Sequence, residues 1–473
     1  MKVEQLFTGC LAEMAYYVES NGEAAVIDPL RETAPYLRMA EADKATIKYV
    51  FLTHFHADFV SGQYDLAQKT GAKIIFGPNA TAEYEIYNGT DGEEFALGGG
   101  KITLLHTPGH TMESSSYLIT NEEGKTPYIC TGDCLFIGDV GRPDLAVKQG
   151  SITKHDLASH LFDSLRNKIM TLPDDIIIYP NHGAGSACGK NMSKETFDTL
   201  GNQKKTNYAL REDMTRAEFI EEVTTGLKPS PQYFPNNVKM NKSINTSIDD
   251  ILHNGTTPLE PATFKAMSEQ KDILVVDTRS KAAYTEQGTV PGAWYIGIDG
   301  GFAPWVGALI KDINQKIIFL ADSEARVNEV VTRFSRVGYD NTLGYLSGGL
   351  EAWQAEGYSV DKIGSMSATE FAERLEEGSM QVPMDVRKDS EYLSQHVIGV
   401  SNFPLDWIHQ NFSEIDTNKA YFLHCASGYR SLVASSIFMA NGAKQVTDVR
   451  GGFKALKETK IALTDFVCPT TLL

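Results

Sequence analysis

The sequence predicts a multidomain α/β protein, and three observations carry that reading. The first 200 residues alternate short β-rich runs with turns and helical stretches. Residues 201–250 then turn polar and proline-bearing, and the remainder repeats itself after just over a hundred residues. A chain of 473 residues has room for about three domains of about 150 residues each.

In chain order, Ala24-Ala25-Val26-Ile27-Asp28, Tyr49-Val50-Phe51-Leu52, Ile102-Thr103-Leu104-Leu105 and Ile176-Ile177-Ile178-Tyr179 read as strands. Each meets Pro, Gly, Asp or His within a few residues, so the strands deliver polar side chains to one rim of a sheet. A charged stretch around Met214–Thr225 reads as a docking helix. Pro229, Pro231 and Pro235 then predict an extended linker. In the repeat, Val275-Val276-Asp277-Thr278-Arg279 matches Met384-Asp385-Val386-Arg387, and Phe319-Leu320-Ala321-Asp322 matches Phe422-Leu423-His424-Cys425. Gly348-Gly349-Leu350 likewise matches Gly451-Gly452-Phe453. Each copy is long enough for its own α/β core, which favours two tandem domains over a solenoid. The expected boundaries are 1–250, 251–362 and 363–473.

Bulk composition narrows the function. A net charge of −18 repels polyanions, so nucleic acid and anionic membranes are not expected partners. No run approaches the roughly 18–20 apolar residues of a membrane span, and no secretory leader is visible. Six cysteines (Cys10, Cys130, Cys134, Cys188, Cys425 and Cys468) are too few for a disulfide scaffold. They fit a reducing cytoplasm, where a single thiol can be catalytic.

Chemistry concentrates in two places. The first is the loop Thr53-His54-Phe55-His56-Ala57-Asp58-Phe59. Three further motifs follow in order: Thr107-Pro108-Gly109-His110, Thr131-Gly132-Asp133 and Tyr179-Pro180-Asn181-His182. The second is His424-Cys425-Ala426-Ser427-Gly428-Tyr429-Arg430-Ser431, between an apolar run (Tyr421–Leu423) and a helical stretch (Leu432–Met439). A loop curling into a helix N-terminus aims backbone N–H groups at the sulfur, which stabilises a thiolate. Gly428 frees the curl, and Arg430 either closes the loop or attracts an anion.

The first set of motifs resembles the metallo-β-lactamase superfamily across about 200 residues, which implies an αββα sandwich. Two-metal hydrolases of that superfamily carry His at the position of Phe59, so the loop is expected to serve one metal. The details look most like the persulfide dioxygenase branch. By position, that resemblance implies one Fe(II) per chain held by His54, His110 and Asp133, with no organic cofactor. Two imidazoles and a carboxylate leave three positions open on a redox-active metal. His56, Asp58 and His182 are then expected to support ligands or bound water, and His106 to be structural. Arg142, in Gly141-Arg142-Pro143-Asp144, resembles a family arginine near the substrate. It either orients a carboxylate or holds the site together. Gly183-Ala184-Gly185-Ser186-Ala187-Cys188-Gly189 departs from glutathione-using relatives and favours coenzyme A or bacillithiol over glutathione as the persulfide carrier. Cys188 either meets substrate sulfur or is a small buried thiol.

The second motif resembles the rhodanese loop Cys-x-x-Gly-x-Arg, with Cys425 and Arg430 catalytic and Gly428 lining the substrate. In the middle copy, Asp322, Ala325 and Val327 stand where the loop has Cys425, Gly428 and Arg430. That copy is expected to be an inactive spacer or an oligomerisation module. The whole order resembles bacterial persulfide dioxygenase–rhodanese fusion proteins of sulfide detoxification. The resemblance implies oxidation of a thiol persulfide by O2 to sulfite, then thiosulfate formation, in a cytoplasmic homo-oligomer (dimer or tetramer). Two other readings stand beside it: a glyoxalase II-type thioester hydrolase fused to a sulfurtransferase, and a sulfur carrier or sensor with a vestigial first domain.

Overall fold

A computed structural model describes residues 1–147 and 151–468. The chain forms two compact units: Met1–Asp250 with Ser335–Gly338, and the remainder from Ile251.

The first unit is built on two six-stranded sheets. One runs in the order Lys2–Thr8, Glu13–Ser20, Glu23–Ile27, Thr46–Phe51, Lys73–Phe76, Tyr87–Asn88. The other runs Asp198–Thr199, Ile177–Pro180, Tyr128–Gly132, Ser115–Thr120, Gly100–His106, Glu94–Leu97. Alternation along the strands sends Tyr16, Val18, Ile27 and Phe51 of one sheet against Ile102, Leu104, Tyr117 and Ile119 of the other. The opposite faces of both sheets are also apolar and take helices. Tyr36, Ala40 and Leu66 cover one, and Leu157, Leu161 and Phe219 lie on helices of the other side. The result is the expected four-layer αββα sandwich. The strand ends Phe51, Gly132 and Pro180 open onto the loops that carry His54, Asp133 and His182.

One expectation holds only in part here. Residues 227–231 carry no helix or strand, but helices occupy Phe234–Lys242 and Ile248–Gly255. Pro235 sits in the first helical turn, where a missing N–H costs nothing and the fixed φ suits the helix. The expected helix before it forms at Arg216–Thr224, closed by a Thr215–Glu218 capping box.

The second unit holds two parallel five-stranded sheets of identical topology. The first follows Pro258–Leu259, Thr342–Leu346, Lys316–Leu320, Ile273–Asp277, Trp294–Tyr295. The second follows Gly364–Met366, Gln445–Val449, Ala420–His424, Val382–Asp385, Ser401–Asn402. In each, the central strand ends at the diagnostic position, Leu320 before Asp322 or His424 before Cys425. The carboxyl ends of parallel strands are where open α/β sheets place their ligands.

Candidate metal centre and cysteine loop

His54, His110 and Asp133 arrive from three separate loops and place one donor atom each within 4.8 Å of one another. Asp133 Oδ2 lies 3.4 Å from His110 Nε2 and 3.9 Å from His54 Nε2. Bonds of about 2.0–2.2 Å to a common ion would set neighbouring donors roughly 3–3.5 Å apart, close to this spacing.

The hydrogen bonds fix which nitrogen faces inward. His110 Nδ1 donates to the Arg142 carbonyl at 2.8 Å. His54 Nδ1 lies 3.0 Å from Thr53 Oγ1, whose own proton goes to Asp28 Oδ2. Both rings therefore present a lone pair on Nε2 toward Asp133. Burial, with His56, His110 and His182 nearby, holds His54 well below the usual imidazole range, so it stays neutral as a ligand must. Neither carboxylate oxygen of Asp133 has a hydrogen-bond partner, although the residue is buried. A buried carboxylate in that state suits a cation, and these residues fit a metal.

A second trio adjoins the first. Asp58, His182 and Cys188 are all buried, with donor atoms within the same 4.8 Å limit. His182 Nδ1 faces the Ala12 carbonyl at 3.3 Å, which turns Nε2 toward Asp58 Oδ2 at 3.4 Å and Asp133 Oδ1 at 3.7 Å. Asp133 thus shows one oxygen to each trio. His182 aims Nε2 between Asp58 and Asp133. Burial, then Asp58 and Asp133, pushes the Cys188 thiol up.

Phe59 is fully buried and stacks on His56, with ring centroids 4.4 Å apart. His56 turns away from the trio, and its Nε2 meets Asp28 Oδ1 at 3.0 Å. Burial opposes its charge, but Asp28, Asp58 and Asp133 together hold its pKa above the ordinary value. Of the two roles expected of Arg142, holding the site together is the one its contacts serve. Its guanidinium is spent on Asp144, the Ala187 carbonyl and the Lys228 carbonyl, while its own carbonyl orients His110. It braces the loop of Cys188 and is not free to bind a substrate carboxylate. His106 hydrogen-bonds the Met112 carbonyl, apart from both trios.

Sequence reading missed two residues of this centre. Asp28 accepts from Thr53 N at 2.8 Å as well as from Thr53 Oγ1. Its place at a strand end was the available signal. Asn241, on the helix Phe234–Lys242, donates to the His56 and Phe59 carbonyls and accepts from Ser61 N, each at 2.8 Å. No local pattern announces it.

In the second unit, Cys425 is 1% exposed. Its Sγ accepts from Gly428 N at 3.1 Å and from Ser431 Oγ at 3.5 Å. The flanking motifs now have reasons. Arg387 grips Asp385 and lies over the Phe453 ring, 3.8 Å from its centroid. Gly452, at φ +57°, sits so close to the Cys425 carbonyl that a Cβ would collide with it. Arg430 forms a two-pronged pair with Glu391 at 2.5 and 2.9 Å. Of its two expected roles, loop closure is the one its geometry serves.

Residues 8–182 match the family described as "Metallo-beta-lactamase superfamily", and residues 260–356 and 367–459 each match "Rhodanese-like domain". A solved metallo-beta-lactamase from Staphylococcus aureus subsp. aureus COL is 30% identical, with a TM-score of 0.63 over 73% of this chain and 98% of that one. The chain belongs to the metallo-beta-lactamase superfamily. Two rhodanese-like domains follow its metallo-beta-lactamase domain. A cytoplasmic hydroxyacylglutathione hydrolase of Arabidopsis thaliana is 30% identical over 178 residues, 37% of this chain and 65% of that protein. The hydroxyacylglutathione hydrolase of Salmonella typhi is 34% identical over 162 residues, 34% of this chain and 57% of that protein. The chain therefore spans less than two thirds of the length of these relatives. Among the described residues, no helix is long and apolar enough to cross a membrane.

Proposed function

We propose that the chain couples two sulfur reactions. The first domain oxidises a low-molecular-weight thiol persulfide with O2 and water, giving sulfite and the free thiol. The third domain moves sulfane sulfur through Cys425 onto sulfite, giving thiosulfate. The observation that carries the reading is the pairing in one chain of a His54–His110–Asp133 triad with the Cys425 cradle, beside a buried Phe59. One reaction makes the acceptor that the other consumes.

Iron(II), held by His54, His110 and Asp133, would supply redox chemistry toward dioxygen and open positions for a thiolate. The protein's own part is to keep His54 and His110 in the ligating tautomer through Thr53 and the Arg142 carbonyl. Phe59 stacks on His56 and Phe136 meets His182 edge-on, which sets apolar surface beside these polar groups. In the third domain, Gly428 N and Ser431 Oγ stabilise negative charge on Cys425 sulfur.

The deciding experiment is oxygen uptake by iron-loaded protein with persulfides of coenzyme A, bacillithiol and glutathione. Uptake should yield sulfite, and Asp133→Ala should abolish it while leaving sulfur transfer intact. The absence of uptake with all three would end the reading.

One observation favours a second reading. Asp58, His182 and Cys188 share Asp133 with the triad, as the halves of a two-metal site would. That arrangement suits thioester hydrolysis. Two metal equivalents per chain with hydrolysis of a glutathione thioester would establish it, whereas one iron and no hydrolysis would dismiss it.

A further inference from the structure

Arg430 leaves the cysteine loop short of positive charge. Its guanidinium is matched by Glu391, yet the acceptor proposed for Cys425 is a dianion. The middle repeat supplies a further cation beside the loop.

The two repeats meet beside the loop. Tyr429 donates its hydroxyl to the Gly297 carbonyl at 2.9 Å. Its ring lies so tightly against Gly300 that any side chain there would collide with it. Tyr295 N donates to Ser436 Oγ at 2.8 Å within buried surroundings. Between these contacts lies a cleft of ≈ 350 Å³, lined by Arg279, Ser280, Lys281, Tyr295, Gly300 and Tyr429 among others.

The charges in that cleft are unequal in freedom. Arg279 is bound to Asp277, Gln287 and the Gly288 carbonyl. Asp299 is bound to Arg326. Lys281 Nζ makes no hydrogen bond or ion pair among the described residues. It stands 2.5 Å from where a Cβ of Gly428 would be. Gly428 is the residue whose N–H points at Cys425 Sγ. The charge of Lys281 also reaches the buried Asp448 of the third domain.

We infer that Lys281 of the middle repeat binds the anionic acceptor of the Cys425 reaction, so that the anion site spans both repeats. The inference rests on the proposed role of Cys425. In the step it serves, sulfite sulfur attacks the terminal sulfur of the Cys425 persulfide. The new S–S bond makes thiosulfate, the old one breaks, and its electron pair stays on the Cys425 thiolate. An ammonium at the mouth of the loop offsets the repulsion between a dianion and a persulfide anion. The absence of a side chain on Gly428 leaves room for it.

The test uses the full-length protein without oxygen, with glutathione persulfide as donor and either sulfite or uncharged dithiothreitol as acceptor. Lys281→Ala should raise KM for sulfite by about tenfold with kcat within about twofold, and leave the dithiothreitol reaction unchanged. Lys281→Arg should restore the sulfite KM. An unchanged sulfite KM in Lys281→Ala overturns the inference, and so does an equal loss with both acceptors, which would mark a structural role. Transfer that survives in Cys425→Ser would overturn the reading of Cys425 itself, and the anion site with it.

Discussion

The middle and third domains share a topology and an ion pair but differ in one loop. Arg279 holds Asp277 as Arg387 holds Asp385, each with a shortest contact of 2.6 Å. Beyond that pair they part. Asp322 accepts from Ser280 N at 2.9 and 3.0 Å and lies 3.6 Å from Arg326, so its charge is settled within its own domain. Residues Glu324–Arg326 tighten into a 3-10 turn, where the third domain keeps an open curl around Cys425. The middle repeat has the same scaffold but holds a self-satisfied carboxylate where the third domain has its cysteine. The comparison teaches that scaffold and cradle are separable.

The sharpest way to break the comparison is at the sulfur. Cys425→Ser keeps size but cannot form a persulfide, and sulfur transfer should fall by about a thousandfold or more. Oxygen uptake should persist, with early product shifted from thiosulfate toward sulfite. Thiosulfate at the wild-type rate in that window would remove Cys425 from the mechanism.

The converse change should fail. Asp322→Cys in a Cys425→Ser background is expected to give below about 1% of wild-type transfer, because a thiol in a 3-10 turn lacks the converging N–H donors. Substantial turnover would mean that the middle loop can still open.

Glycines make a subtler contrast. A Cβ on Gly452 would strike backbone atoms of Cys425, Ala426 and Ser427, whereas one on Gly349 meets the end of the Glu351 side chain at 3.2 Å. Gly452→Ala should therefore lower transfer by about 10–100-fold through loop displacement. Gly349→Ala should cost about 1–2 kcal/mol of stability, the left-handed penalty, and leave transfer alone. Equal effects of the two substitutions would erase the distinction.

The last contrast depends on pH and concerns Asp448, whose counterpart in the middle repeat is Tyr345. Burial pushes its carboxyl up to about 6, against opposing contributions from Ser431 and Lys281. A raised carboxyl pKa contributes stability that is full below the unfolded value near 3.8 and lost as pH rises through about 6. Asp448→Asn should thus exceed wild type by about 1–3 kcal/mol at pH 7.5, with the gap shrinking toward pH 5. Urea unfolding across that range checks it, and a gap independent of pH would contradict it.

Much of this was legible in the residues because strand-end motifs and tandem repeats are local in sequence. The order of the four metal motifs, the Cys425 loop and the Asp322 replacement all survive translation into three dimensions. Convergence over long sequence distances does not announce itself. Cys188 reaches Asp58 only through the fold of the loop 183–189. Lys281 lies in a different repeat from the cysteine it faces. The prolines around residue 231 suggested a linker because proline composition cannot distinguish an extended chain from a helix start.

Asn241 carries a consequence for how the metal loop comes into being. Its single amide satisfies the carbonyls of His56 and Phe59 and the N–H of Ser61. Left buried and unpaired, each such group costs about 1–3 kcal/mol. On the ribosome, the His54–Phe59 loop is made some 180 residues before the side chain that closes it. These backbone groups meet their Asn241 partner only once the helix Phe234–Lys242 has emerged. The loop of the first histidines is therefore fastened by a helix made near the end of the domain's synthesis.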